Sequence, residues 1–290
     1  MKNIKSHVHR PRAIPLFSHG PRKFDASMLT HKRVDSQGKL HALGEPALCF
    51  SDEAQEWWHH GKLQSFNETP ALYIEDSNAC RVKVCCWNNC KTHEYIDLTA
   101  GSQVWCQDGY IHRDNGPAIV TWNNQVGLEE EYWHNGLRHR DGLPAIVYPG
   151  GSTWFEHGLL HRSDGPAVDV SADNVNVPLR FRYRCIQWWW LGKVMFEHGD
   201  FIKNFDYKCV PPEFALRALS FRYRHFHSGT MCQAAEKRAC VAFPGLSNLI
   251  SLHRDSMIDA EGLAQVIDDH VAGLRADEVF STDGLIPLEV

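Results

Sequence analysis

Apolar and polar positions alternate in short bursts from residue 34 to about residue 200, as in "EEEYWHNG" (129–136) and "GSTWFEHG" (151–158). Alternation with period two predicts half-buried strands. Each burst ends on a glycine that follows Asn, Asp or His, a pair suited to the positive-φ positions of a tight hairpin turn. Beyond residue 200 the period changes. Pro211 and Pro212 precede "EFALRALSFRYRHF", a helix start, and "TMCQAAEKRACVAF" is rich in helix formers and stops before Pro244 and Gly245. Between Ile258 and Leu274, the residues Leu263, Val266, Ile267, Val271 and Leu274 keep a helical stripe with Asp268, Asp269 and His270 between them. The pattern predicts a mainly β chain with a helical C-terminal part, an α+β fold.

The bursts repeat. "HRDNGPAIV" begins at His112, "HRDGLPAIV" at His139 and "HRSDGPAVDV" at His161, three residues after Gly109, Gly136 and Gly158. Trp105, Tyr132 and Trp154 stand four residues before those glycines. Weaker copies place Gly38 with His41, Pro46 and Ala47, Gly61 with Trp57, Gln64 and Pro70, and Gly192 with Trp188 and Met195. Cys90 fills a glycine slot in "CCWNNCKTHEY", with His93 three residues on. Anchors at 38, 61, 90, 109, 136, 158 and 192 make about seven units. A motif that recurs at a fixed register is architecture before it is chemistry.

An aromatic, a glycine and a second glycine turn at a period near 23 residues resemble the MORN repeat class, whose hairpins stack. The form W-x3-G-x2-H-R-x-D-G-P-A resembles a MORN-like variant of large-phage and giant-virus repeat proteins, over residues 34 to about 196. The resemblance implies an elongated antiparallel single-sheet meander of stacked hairpins with a helical cap, and a scaffold function without shared chemistry. It also implies that a viral chain would act in the host cytoplasm on a host or phage-encoded partner. The expected divisions are a basic, flexible arm over 1–33, repeats over 34–200, and a helical cap with an acidic end over 201–290.

Charge sharpens those divisions. Residues 1–33 carry eight Lys or Arg against Asp25, and residues 255–290 carry nine Asp or Glu against Arg275. No apolar run of about 20 residues offers a membrane span, and no apolar stretch follows the basic start as in a secretory signal. A cytoplasmic protein without membrane partners is expected, its ten cysteines reduced.

Five features offer chemistry. His41, His93, His112, His139 and His161 share one slot and would form a ladder, each imidazole bridging its turn and packing on the adjacent Trp; a line of histidines does not converge on a metal. Arg113 with Asp114, Arg140 with Asp141 and Arg162 with Asp164 read as structural pairs at the turns. Cys80, Cys85, Cys90 and His93 offer sulfur and nitrogen for zinc, although the spacing fits no standard finger and buried thiols are the alternative. Arg180, Arg182 and Arg184 alternate with aromatics on a strand and, with the triplet Trp188, Trp189 and Trp190, are candidates for protein binding. Arg10, Arg12, Arg222 and Arg224 are the candidates for nucleic acid.

No nucleophile elbow, phosphate loop, dinucleotide fingerprint or HExxH helix occurs. The sequence therefore points to a non-enzymatic interaction scaffold that needs no cofactor and binds another protein, with a homo-oligomer allowed. A nucleic-acid binder and a zinc-dependent enzyme at the cysteine cluster are the alternatives.

Overall fold

The structure, a computed structural model, describes residues 10–17, 26–51, 54–74, 80–87, 92–123, 127–170, 185–226 and 232–278, apart from the side chains of 26, 123 and 274–278. The fold is mainly β, with four helices at its C-terminal part. The chain forms two compact units, residues 1–161 with 167–185 and residues 162–166 with 186–290.

The first unit is organised by a run of ten short antiparallel strands: Leu29–Lys32, Leu48–Phe50, Gln55–Glu56, Leu72–Tyr73, Ser102–Val104, Ile119–Asn123, Gly127–Glu131, Ile146–Tyr148, Gly151–Thr153 and Val168–Val170. Their alternation sets one face inward, so Leu48, Leu72, Val104 and Ile119 are buried together.

The glycine turns lie outside this sheet. They close four separate two-stranded hairpins, Trp58–His59 with Lys62–Leu63, Cys106–Gln107 with Tyr110–Ile111, Trp133–His134 with Leu137–Arg138, and Phe155–Glu156 with Leu159–Leu160. Each turn has positive φ at both central residues, from His60 and Gly61 to Asp108 and Gly109, Asn135 and Gly136, and His157 and Gly158. Such a turn carries the right-handed twist of its flanking strands. Trp58, Leu63, Cys106, Ile111 and Trp133 of these hairpins join the sheet residues in one core.

The Pro-Ala step is the floor of each unit. Ala47, Ala71, Ala118, Ala145 and Ala167 have no exposed surface. The carbonyls of Ala118, Ala145 and Ala167 accept the amides of Trp105, Tyr132 and Trp154 at 2.8, 2.7 and 2.7 Å. The arginine of each strong repeat donates to the proline carbonyl four residues on, Arg113 to Pro117 at 3.3 Å, Arg140 to Pro144 at 3.4 Å and Arg162 to Pro166 at 3.3 Å. Arg113 also lies 4.1 Å over the Trp105 ring and Arg140 3.6 Å over the Tyr132 ring, so the repeated arginine closes its own loop.

Two expectations are corrected. The unit anchored at Cys90 is not a repeat: Cys80–Trp87 and Thr92–Leu98 form a long hairpin in a sheet of their own with Arg12–Ala13. Leu72–Tyr73 pairs directly with Ser102–Val104, so this hairpin is an insertion between neighbouring repeats. The basic arm is also part of the fold where it is described. Arg12 and Ala13 pair with Cys86 and Cys85, Ile14 and Leu16 donate to the carbonyls of Val84 and Gly109, and Leu16 is buried. Alternate residues of this segment meet successive turns. A Cβ built on Gly158 would lie 2.7 Å from Pro11, on Gly136 2.8 Å from Ala13 and on Gly109 3.2 Å from Pro15. The turn glycines give the N-terminal strand room to lie across the hairpins.

In the second unit the strands Cys185–Trp190, Lys193–Glu197 and Asp200–Phe201 form an antiparallel meander. Helices α1 (Pro212–His225), α2 (Gln233–Ala242), α3 (Leu246–Arg254) and α4 (Ala260–Glu278) accompany it. Pro212 in the first turn of α1 costs no hydrogen bond, because the first amides of a helix have no intrahelical acceptor. Phe214, Leu216 and Leu219 of α1 pack with Leu263, Ala264 and Ile267 of α4 in the core that also takes Trp188, Phe196 and Phe201. Helix α3 was not legible in the apolar stripe, and Val266, read as part of the α4 stripe, is 37% exposed.

Candidate functional site

The row of hairpin turns in the first unit gathers the histidines. His41 Nδ1 accepts the backbone amide of His60 at 3.3 Å, His112 Nδ1 that of Asn135 at 3.1 Å, and His139 Nδ1 that of His157 at 3.4 Å. Each donor is the residue before the turn glycine of the next hairpin, where φ is positive. These three histidines of the ladder therefore bridge to the following repeat, not across their own turns.

An imidazole that accepts at Nδ1 carries its proton on Nε2. That proton faces a carboxylate, with Asp114 Oδ1 3.1 Å from His112 Nε2 and Asp141 Oδ1 3.1 Å from His139 Nε2. This corrects the Arg–Asp couple: Asp114 and Asp141 pair with histidine, Arg113 meets Glu68 at 3.0 Å, and the couple forms at Arg162 and Asp164, 2.7 Å apart.

The rings stack on one another along this row. His41 and His60 are parallel with centroids 4.1 Å apart, His139 and His157 are parallel at 4.0 Å, and His112 lies 4.9 Å from His134. Burial first, then the neighbouring His139 charge, holds His157 below the ordinary imidazole value. Burial does the same at His161, against the opposing pull of Glu156. Two groups could hold a metal among the described residues, His41 with His59 and His60, and His112 with Asp114 and His134. The row was legible as a line; the convergence was not, because His59, His60 and His134 fall outside the repeated slot.

A second polar cluster lies half-buried beside the inserted hairpin. The Arg138 guanidinium donates to Glu131 Oε2 at 2.8 Å and to Glu94 Oε1, while Cys85 Sγ donates to Glu94 Oε2 at 3.2 Å. Burial alone would lower the Arg138 value, but Glu131 and Glu94 outweigh it and hold the guanidinium above its ordinary range. Burial, aided by the Glu94 charge, pushes the Cys85 thiol up. A thiol held protonated is a poor nucleophile and a poor metal ligand, so this cluster reads as structural.

The cysteine candidates for zinc do not converge as one set. Cys80 pairs across the hairpin with Leu98, while Cys85 pairs with Glu94 and Cys86 with His93. Five residues of strand separate Cys80 from Cys85 by roughly 16 Å, too far for one ion. Among the described residues no cysteine joins a group of three ligands; Cys90 lies outside them.

Trp188 is buried against Phe214 and Phe221, with centroids 5.4 and 5.6 Å away, which removes it as a binding anchor. Trp190 packs on Phe214 at 5.0 Å, whereas Trp189, half-buried, turns its Nε1 to Gln187 Oε1 at 2.9 Å. Arg180, Arg182 and Arg184 lie outside the described residues. The second Phe-Arg-Tyr-Arg run is helical, in α1, which buries Arg222 and ties Arg224 to Glu261 at 3.6 Å and Asp268 at 2.9 Å. Neither is available to a phosphate backbone. Arg10 and Arg12 are exposed.

The repeat pattern does not single out the most exposed large aromatic among the described residues of the sheet. Trp122 is 60% exposed and stands opposite Leu128, 40% exposed, on the adjacent strand. The half-buried Val120 and Val147 lie on the same outward face, separated by Glu130. Alternation carried the signal, since Ile119 and Trp122 belong to opposite faces of one strand and both cannot reach the core.

Among the described residues no helix is long and apolar enough to cross a membrane. Every described cysteine is a free thiol. Comparison of the chain with family models, with curated proteins and with solved structures finds no match.

Proposed function

We propose that the chain is a non-enzymatic protein-interaction scaffold of MORN-like hairpin repeats, binding another protein through the outer face of the sheet in its first unit. The observation that carries this reading is the cross-strand pair of Trp122 and Leu128, exposed on a regular strand. Burial of an exposed Trp at the centre of an interface is a common source of binding energy. The polar repeats support the reading from the other side, because their arginines and histidines are engaged in closing loops and bridging turns. A cytoplasm suits the free thiols, and the resemblance to viral repeat proteins directs the search to proteins of the host.

Affinity capture from a host lysate with the full chain, repeated with Trp122→Ala and Leu128→Ala combined, tests the proposal. A protein enriched by the natural chain and lost with the variant is the expected result, with binding about 30-fold weaker for a hot-spot Trp. Enrichment that ignores the variant, or none, rejects this surface. Sedimentation at rising concentration asks in the same way whether the partner is a second copy.

Nucleic acid is the second reading, favoured by one observation. Tyr95, 45% exposed, has Arg81 at 5.3 Å and Lys83 at 5.9 Å from its ring, which places an aromatic and cations on one face. Binding of a single-stranded oligonucleotide that falls steeply with salt and is lost in Tyr95→Ala would support it.

A further inference from the structure

His59 ends one strand of the first hairpin and His60 is the first residue of its turn, at φ 48°. The turn brings these sequence neighbours, which in a straight strand would point apart, to a centroid separation of 4.5 Å. His41 from the preceding repeat lies 4.1 Å from the His60 ring and 4.9 Å from the His59 ring. One nitrogen from each ring falls within 4.8 Å of the others. Three imidazoles on a tetrahedral ion with metal–nitrogen bonds of about 2.0–2.1 Å require nitrogens roughly 3.4 Å apart. His59 and His60 are exposed, so rotation of their side chains closes that gap without moving the core.

Asp35 adds a second and independent feature. Its Oδ2 lies 2.8 Å from His60 Nδ1, and its Oδ1 accepts the amides of Gln37 and Lys39 at 2.9 and 3.0 Å. A carboxylate fixed by its own loop holds the proton on Nδ1 and leaves the Nε2 lone pair directed outward, the arrangement that stands behind metal-bound histidines. The hydrogen bond to His60 holds the Asp35 carboxyl down to about 2, so the carboxylate persists through the neutral range. Partial burial, followed by the His60 and His59 charges, keeps His41 below the usual imidazole range. His41 yields its long 3.3 Å bond from the His60 amide when Nε2 takes an ion; the exposed amide then turns to water.

The other histidine groups lack these properties. His112 is buried, with Nδ1 occupied by the Asn135 amide and Nε2 by Asp114. His139 and His157 are two stacked rings, and the Arg10 charge acts on His157.

We propose that His41, His59 and His60, with Asp35 behind His60, form a binding site for one divalent borderline metal ion of the zinc, nickel and copper class. Three nitrogen ligands suit such ions over magnesium or calcium, which take oxygen, and leave a fourth position for water or a donor from a partner.

The full chain, prepared without a histidine tag and stripped with chelator, is titrated with cobalt(II) and then displaced with zinc. One ion per chain is expected, with the strong visible absorption of a four- or five-coordinate cobalt site. His59→Gln and His60→Gln, both at exposed positions, should abolish that spectrum. Asp35→Asn should weaken zinc binding ~10- to 100-fold, while His134→Gln leaves it unchanged. A stoichiometry below one, a weak octahedral cobalt spectrum, or binding that survives His59→Gln and His60→Gln would overturn the site. Loss of binding in His134→Gln would also overturn it, by moving the ion to the His112 group.

Discussion

The backbone amide of Asn135 donates to Nδ1 of His112 across 23 residues of chain, at 3.1 Å. The bond joins one repeat to the turn of the next, and the pairs His41 with His60 and His139 with His157 repeat it. It converts a residue type associated with catalysis into a coupling between stacked units.

Replacing His112 by Leu keeps the buried volume and removes the acceptor. The Asn135 amide is left at an exposed turn where water replaces part of the bond, so the loss is about 1 kcal/mol. Urea denaturation should show a lower midpoint with an unchanged slope.

Ala118 has no exposed surface and sits where the sheet meets the hairpin. Ala118→Leu forces extra methylenes into a filled core, at a cost of about 1–3 kcal/mol. Thermal melting of the variant should show the first unit lose stability, while Val120→Leu on the outward face leaves the melting temperature within the scatter of repeat measurements.

Gly136 and Gly38 both have φ of 76°, but their surroundings differ. A Cβ on Gly136 would lie 2.8 Å from Ala13, whereas nothing lies within 4 Å of one on Gly38. Gly38→Ala should cost about 1–2 kcal/mol for the left-handed backbone alone, and Gly136→Ala about 1–3 kcal/mol more. In a chain that begins at residue 18 the excess should shrink to what the Tyr110 ring edge, 3.0 Å from that Cβ, still imposes, which a double-mutant cycle on denaturation midpoints would read.

His157 and His161 are both held below the ordinary imidazole value of 6.5. A histidine depressed in the folded state binds fewer protons there than when unfolded, so stability is full above about pH 6.5 and falls as the pH drops through that value. The loss levels off below the folded value. Denaturation midpoints should therefore decline between pH 7.5 and pH 5.5, above the carboxylate range. The double variant His157→Gln, His161→Gln should flatten that decline; an unchanged slope would assign it to other groups.

The period-two alternation and the glycine pairs determined the strands and turns by themselves, because both depend on local geometry. Asp108 and Gly109 or Asn135 and Gly136 make the same turn wherever they stand. The recurrence of His-Arg-Asp-Gly-Pro-Ala likewise marked its residues as architecture, since chemistry rarely needs the same site three times.

Contacts between distant segments were decided by tertiary structure alone. Cys90 matched the glycine slot by spacing, yet its neighbours Cys80–Trp87 and Thr92–Leu98 pair over enough residues to leave the repeat and form their own sheet. The Arg-Tyr-Arg run of 222–224 has strand alternation in sequence, but burial of Leu216, Leu219 and Tyr223 at spacings of three and four makes it helical. Trp188 and Trp122 look equally apolar along the chain; only packing against Phe214 and Phe221 buries the first, and only the outward pleat exposes the second. His59 and His60 carried no repeat signal, and a turn at positive φ is what folds them toward His41. Local propensity specifies the conformation of each segment, while which side chains face water depends on neighbours far away in sequence.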